Sequence, residues 1–131
     1  MTGGAPRLLD YLDHIGAAID LAEQVTLACG EAEFVEGKRP LLDAAAVRQV
    51  EIIGEAAVQM RDRYPALMEA HPELPWRAMW GMRNRLIHGY FGVNLQTVWS
   101  VISRDLPAMR EPLAAARVTA EKLEPRPADH G

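Results

Sequence analysis

Several features that would place a chain in a specialised class of protein are scarce in this sequence. Its 131 residues contain one cysteine, Cys29, which has no second cysteine for an intramolecular disulfide and so suits a reducing compartment. Nowhere do eighteen apolar residues follow one another, and residues 1–6 lack the basic and apolar parts of a signal peptide. We therefore expect a cytoplasmic protein that neither crosses a membrane nor is exported.

The sequence also lacks an excess of positive charge. Eighteen acidic residues against fourteen basic ones give a formal net charge of −4, so the field of the whole molecule does not attract nucleic acid. Any contact with nucleic acid must then be local, and no DNA partner is expected. The four histidines and the single cysteine do not have the spacing of zinc ligands, so we expect no metal and no cofactor.

Apolar residues recur at the three- and four-residue spacing of helices, and no alternating pattern is long enough to support a sheet. The spacing predicts helices from Leu8 to Gly30, from about Leu42 to Arg63, from Trp76 to about His88, from an N-cap at Asn94 through Leu106, and a last one ending near Lys122. This pattern predicts an all-α fold, an up-and-down bundle of four to five helices.

The segments between these helices are marked by glycine and proline. Residues 31–40 are expected to form a loop or a frayed helix end, with Phe34 and Val35 folding back onto the core, and residues 65–75 have room for a short helix. Pro107 and Pro112 predict a break or kink before the last helix. We expect one helical domain over residues 1–123 and a disordered tail over residues 124–131.

One stretch of the chain has a composition that packing does not explain. The run RNRLIHGY contains Arg83, Asn84, Arg85, His88 and Tyr90 at the end of the third predicted helix. Histidine exchanges protons near neutral pH, and arginine offers a permanent charge that matches phosphate oxygens. Cleavage of RNA by its own 2′-hydroxyl needs a proton acceptor, a proton donor and positive charge beside the phosphorus. His88 can supply the first two functions and Arg83 the third.

A single helix does not bring these side chains together. Arg83 and His88 are five positions apart, which corresponds to about 140° around an ideal helix. Convergence requires either a helix that ends at His88 and frees Tyr90, or a second copy of the helix across a two-fold axis. We favour the second arrangement, which makes a homodimer part of the mechanism.

Structural roles compete with each of these assignments. A histidine before a glycine can cap the carbonyl groups at a helix end, and two arginines on a helix can be solvated charges. Glu55, a carboxylate in the apolar run IIGEAA, could orient His88 or pair with an arginine, and it is retained as a supporting residue. The tryptophans and methionines recur at helical spacing, and packing is the simpler explanation for them.

The sequence resembles the HepT toxins, within the wider class of HEPN ribonuclease domains. RNRLIHGY has the family's arginine, four residues, histidine, one residue and tyrosine. The segments IIGEAA, PWRAMWGMRN and HGYFGVNLQTVW are also similar, so that the likeness extends over roughly residues 8–115.

The resemblance implies a homodimeric, metal-independent endoribonuclease that is the toxin of a bacterial toxin–antitoxin pair, with its active cleft at the dimer interface. Carried over by position, Arg83 and His88 would be the catalytic pair, Asn84 the polar residue that follows the arginine and supports the pair, and Tyr90 the residue that receives AMP. Arg85 is retained as a further supporting residue. The expected partner is an MntA-like nucleotidyltransferase antitoxin. This chain has no Gly-Ser followed by Asp-x-Asp, so it would accept AMP rather than transfer it.

A second hypothesis keeps the same helical fold but assigns no catalytic activity to it. In it, the chain is a non-catalytic nucleotide- or partner-binding module of a nucleotidyltransferase complex, in which Arg83 and His88 hold a phosphate without cutting. The two hypotheses differ in turnover, because only the first predicts cleavage of RNA that is lost when His88 is replaced.

Overall fold

The fold comes from a computed structural model, which describes the backbone of residues 7–87 and 94–124 and the side chains of all of these except 83–87. The described part of the chain is helical and contains no strand, so the all-α fold predicted from the sequence is confirmed. Within it, no helix is both long and apolar enough to cross a membrane. His88, Tyr90 and residues 125–131 lie outside the described residues.

Two long helices form the centre of the fold. Helix α1 covers Leu8–Ala28 and helix α3 covers Pro40–Arg63, and they pack against each other along their length. The carboxylate of Asp10 accepts a hydrogen bond from the backbone N–H of Arg7 at 2.8 Å, which satisfies a donor at the start of α1. Pro40 occupies the first turn of α3, where its missing N–H costs no hydrogen bond. The buried face of α1 includes Leu8, Leu12, Ile15, Ile19 and Ala22.

The link between these helices is more ordered than the sequence predicted. Glu31–Val35 form a short helix, α2, where we expected a loop or a frayed end. Phe34 is fully buried and its ring lies 5.3 Å from the ring of Trp99, so this side chain packs α2 against the core. Gly37 then has a φ of 74°, a left-handed conformation that glycine adopts without strain.

A short helix, α4, covers Pro65–Ala70, within the 65–75 segment where the sequence left room for one. It leads into α5, whose described part covers Trp76–Ile87 and agrees with the predicted third helix. Among the described elements, α5 packs mainly against α3. It therefore lies at the edge of the bundle.

The fourth predicted helix is built in three pieces. Helix α6 covers Leu95–Ser100, a π-helical segment covers Val101–Asp105, and helix α7 covers Leu106–Ala108. Asn94 is the N-cap, as predicted, and its side-chain oxygen accepts a hydrogen bond from the N–H of Thr97 at 3.1 Å. The break comes at Met109, between the two prolines, and Pro112 fits into the first turn of the last helix, α8, Arg110–Leu123.

Glu124, which the sequence placed in the tail, is held by hydrogen bonds at the end of α8. Its carboxylate accepts hydrogen bonds from the backbone N–H of Leu8 at 2.7 Å and from the hydroxyl of Tyr64 at 2.8 Å, and it pairs with Arg7. Glu124 therefore joins the end of the bundle to the start of α1 and to the end of α3. The domain boundary itself stays a prediction.

Candidate functional site

The backbone of α5 places the first part of the RNRLIHGY run on a helix. Positions 83–87 belong to α5, so Arg83, Asn84 and Arg85 are consecutive residues of its last described turns. His88 and Tyr90, the predicted proton-transfer residue and the predicted AMP acceptor, fall on residues that are not described. The assignment of Arg83 and His88 as a catalytic pair therefore stays a prediction.

The first half of α5 is fixed to α3 by an indole. The Nε1–H of Trp80 donates a hydrogen bond to the backbone carbonyl oxygen of Ala57 at 3.2 Å, and the guanidinium of Arg61 lies 5.3 Å from the centre of the Trp80 ring. On the same helix, Met79 and Met82 are buried in the core. These contacts set the rotation of α5 directly before position 83, and they confirm that this methionine pair belongs to the packing.

The start of α5 depends on a histidine whose importance the sequence did not reveal. His71 is 8% exposed; its Nδ1 lies 2.7 Å from Glu73 Oε2 and its Nε2 lies 2.6 Å from Thr119 Oγ1. Its backbone carbonyl accepts a hydrogen bond from Nε1–H of Trp76 at 2.8 Å. His71 thus connects α8, the segment before α5 and the first residue of α5. The one local sign of this role was Glu73, a possible hydrogen-bond partner two residues further along the chain. The other partner, Thr119, is far away in sequence.

The side of α5 that faces away from the core carries small and charged residues. Arg77 and Ala78 are exposed, and a Cβ placed on Gly81 would have no described atom within 4 Å. We call these three residues the outer face of α5. By the seven-residue spacing of a helix, positions 84 and 85 continue the same face. The outer face therefore leads from the start of α5 to the predicted supporting residues.

Most of the described arginines are neutralised by carboxylates, and Arg77 is an exception. Ion pairs join, for example, Arg110 to Asp20 at 2.7 Å and Arg48 to Glu51 at 4.0 Å. Arg77 is exposed and has no carboxylate within 4.0 Å among the described residues. A local positive charge therefore lies on the outer face of α5, although the whole chain is acidic.

Glu55, the predicted supporting carboxylate, is exposed on α3 and lies 3.9 Å from Arg48 of the same helix. It lines an open groove of about 650 Å³ between α1 and α3, together with Tyr11, His14 and Ile52. One of the two roles considered for it, an ion pair with an arginine, is therefore present. A contact with His88 stays a prediction.

Comparison with known proteins identifies a family. A family model described as "Ribonuclease HepT-like" matches residues 15–116, a range that contains the whole of the RNRLIHGY run. No solved structure matches the chain.

Curated relatives agree with this match. The chain is 39% identical over 101 residues to "Probable ribonuclease HepT" of Thermococcus cleftensis, an alignment that covers 77% of this chain and 87% of that protein. It is 36% identical over 101 residues to a protein of Caldanaerobacter subterraneus subsp. tengcongensis named as a candidate RNase, covering 77% of this chain and 86% of that protein. The resemblance to HepT-like HEPN ribonucleases, and the enzyme class expected with it, are confirmed.

Proposed function

This chain belongs to the ribonuclease HepT-like family, and from that membership we propose that it is a metal-independent endoribonuclease acting as the toxin of a toxin–antitoxin pair. The observation that carries the proposal is the position of Arg83 on a helix at the edge of the bundle, with His88 directly after the last described helical residue. An edge helix is accessible to a long polymer such as RNA. Its residues can also meet those of a second copy.

In the proposed reaction, the RNA supplies its own nucleophile. His88 removes the proton from a 2′-hydroxyl, whose oxygen then forms a bond to the neighbouring phosphorus. The bond from phosphorus to the 5′-oxygen breaks, and that oxygen leaves with the proton that the His88 imidazolium gives up. The products are a 2′,3′-cyclic phosphate and a free 5′-hydroxyl. Arg83 stabilises the extra negative charge that develops on the phosphate oxygens.

We propose that the site is completed by a second copy of the chain. Arg83 and His88 are separated by about 140° on one helix, so residues from two helices have to meet around the phosphate. Gly81 supports this arrangement, because a Cβ placed on it would meet no described atom within 4 Å. Small residues allow two helix backbones to approach closely.

For regulation, we propose that a nucleotidyltransferase partner transfers AMP from ATP to Tyr90. The phenolic oxygen forms a bond to the α-phosphorus, pyrophosphate leaves, and the partner accepts the phenolic proton. The product carries a bulky anion two residues from His88, which would fill the cleft and repel the RNA backbone. Unmodified protein is then the active form.

The test of the ribonuclease is cleavage of RNA by the purified, unmodified protein in the presence of EDTA. We expect 2′,3′-cyclic phosphate ends from the unaltered protein and at least a hundredfold slower cutting after His88→Ala or Arg83→Ala. His14→Ala is the matched control, because His14 is an exposed histidine on α1. If RNA is bound but not cut, the chain is a binding module and the proposal is wrong.

The test of regulation is the intact mass of the protein made with and without its partner. We expect one AMP to be added in the presence of the partner, and no addition in the Tyr90→Phe variant. That variant should remain active when the partner is present. Suppression of activity with an unchanged mass would contradict the proposed modification and indicate simple masking.

A further inference from the structure

A second surface lies beside the predicted cleft, between α4 and the start of α5. This α4–α5 groove has a volume of about 600 Å³ and is lined by Met68, Glu69, Pro72, Leu74, Arg77 and Trp80, among others. Leu74 is 2% exposed and forms part of its floor, while Trp80 is half-buried. The groove is therefore an open, largely apolar depression rather than an internal cavity.

Two indoles, those of Trp76 and Trp80, line the groove and are held in fixed orientations. Trp76 donates its Nε1–H to His71 and Trp80 donates its Nε1–H to Ala57, so both polar groups are already satisfied within the protein. What these side chains offer to a ligand is carbon surface. Because the rings are already immobilised, a ligand that packs on them does not have to order them first.

Positive charge lies at the edge of this apolar surface. Arg77 lines the groove, is exposed, and has no carboxylate within 4.0 Å among the described residues. Arg61, which lies over the Trp80 ring at 5.3 Å, is outside this lining and is paired with Asp62 at 3.1 Å. Glu69 is the one carboxylate among the described lining residues. An apolar depression that has at its edge one cation unpaired among the described residues, Arg77, matches a planar aromatic base that is joined to a phosphate.

The groove is continuous with the positions predicted to act on RNA. Trp80 precedes Arg83 by three residues and therefore occupies a neighbouring position on the same side of α5. Arg77 precedes Asn84 by seven residues, two helical turns, and so lies on the same stripe. Arg77 and Arg83 are six positions apart, a rise of about 9 Å along the helix. A short run of nucleotides spans that distance.

We propose that the α4–α5 groove is a subsite for an unpaired base of the RNA substrate, with the guanidinium of Arg77 bound to the phosphate next to that base. This proposal rests on the ribonuclease function proposed above, and it adds a preference for single-stranded RNA. A duplex keeps its bases paired and stacked, so it cannot place one in the groove.

The test measures binding rather than cleavage, with full-length His88→Ala protein and a single-stranded oligouridylate of twelve nucleotides. The dissociation constant is measured over a series of salt concentrations. We expect Arg77→Gln to weaken binding several-fold and to reduce the slope of log K against log salt by about 0.7, the value for one lost phosphate contact on a single strand. Arg104→Gln is the matched control, since Arg104 is also exposed and lies in the π-helical segment.

Glu69→Gln should change the affinity for the oligouridylate in the opposite direction. Removal of the one carboxylate of the groove should tighten binding about two- to fivefold, an effect that damage to the fold does not produce. Arg77→Gln and Glu69→Gln should both keep the oligomeric state of the His88→Ala protein in which they are made. A duplex of the same length should bind more weakly than the single strand and respond less to Arg77→Gln.

The proposal is overturned if Arg77→Gln and Glu69→Gln leave the affinity and the salt slope unchanged while the unaltered protein still cuts RNA. In that case the ribonuclease stands and the base subsite does not exist. A change of oligomeric state in Arg77→Gln would also overturn it, because the groove would then be occupied by a second protein copy. Absence of both RNA binding and RNA cleavage in the unaltered protein would instead reject the proposed function.

Discussion

The hydroxyl of Thr119 lies 2.6 Å from Nε2 of His71, and this hydrogen bond joins α8 to the segment that leads into α5. With Glu73 ionised, Nδ1–H of His71 donates to that carboxylate, and in the neutral ring the Thr119 hydroxyl donates to Nε2. Both ring nitrogens are therefore satisfied. The helix that carries Arg83 begins next to this partly buried polar contact.

Replacement of His71 should therefore destabilise the whole domain. We expect His71→Ala to lower the free energy of unfolding by about 2 to 3 kcal/mol, because it leaves the Thr119 hydroxyl without a partner and opens a space in the packing. Urea unfolding followed by circular dichroism measures the change. His14→Ala, on the exposed side of α1, should stay within about 0.5 kcal/mol of the unaltered protein. Equal losses in the two variants would contradict the structural role of His71.

The same contact predicts a dependence of stability on pH. The hydrogen bond from His71 lowers the pKa of Glu73 below its ordinary value of 4.5. A carboxyl group whose pKa is lower in the folded state stabilises the fold above its unfolded pKa, and this contribution is lost as the pH falls through the folded pKa. We expect the difference in stability between the unaltered protein and Glu73→Gln to shrink as the pH falls below about 4.5. Glu121→Gln, an exposed carboxyl on α8, is the control. A difference that is constant from pH 7 to pH 3 would refute this reading of the contact.

Much of the fold was predictable because its signals are local. The spacing of apolar residues located α1, α3 and α5, and Asn94 marked the start of α6 through a cap that forms within four residues. The short helix α2 was missed because its stability comes from outside its own sequence. Five residues make a poor helix alone, and Phe34 is held by Trp99, a residue far along the chain.

The candidate site stays a prediction. Arg83 and His88 were chosen from residue types and spacing, because a guanidinium matches phosphate oxygens and an imidazole exchanges protons near neutral pH. The contacts that fix the position of the helix carrying Arg83 could not be predicted from the sequence in the same way. The contacts of Trp80 with Ala57 and of His71 with Thr119 join residues 23 and 48 positions apart, and no local pattern announces them.

Glu124 gives a prediction about the end of the bundle. Its carboxylate accepts hydrogen bonds from the N–H of Leu8 and the hydroxyl of Tyr64, two donors that both become unpaired in Glu124→Ala. We expect this change to lower the free energy of unfolding by about 1 to 3 kcal/mol. Glu121→Ala, one turn earlier on α8 and exposed, should have little effect. If Glu124→Ala is as stable as Glu121→Ala, the contact between the two ends of the domain does not contribute to folding.

The outer face of α5 gives a prediction that separates the proposed dimer from the fold. Gly81 lies inside a helix, so Gly81→Leu should favour that helix by up to about 1 kcal/mol while adding a large side chain where a Cβ has no described atom within 4 Å. We expect the variant to keep its helical circular dichroism, to sediment as a monomer, and to lose RNA cleavage because the two-copy cleft cannot form. Ala115→Leu adds the same bulk to an exposed position of α8 and should leave both dimer and cleavage intact. In a dimer whose helices cross closely at residue 81, the partner helix would fill the space that a leucine needs. A Gly81→Leu variant that remains a dimer and cuts RNA at the normal rate would therefore show that the two copies meet elsewhere.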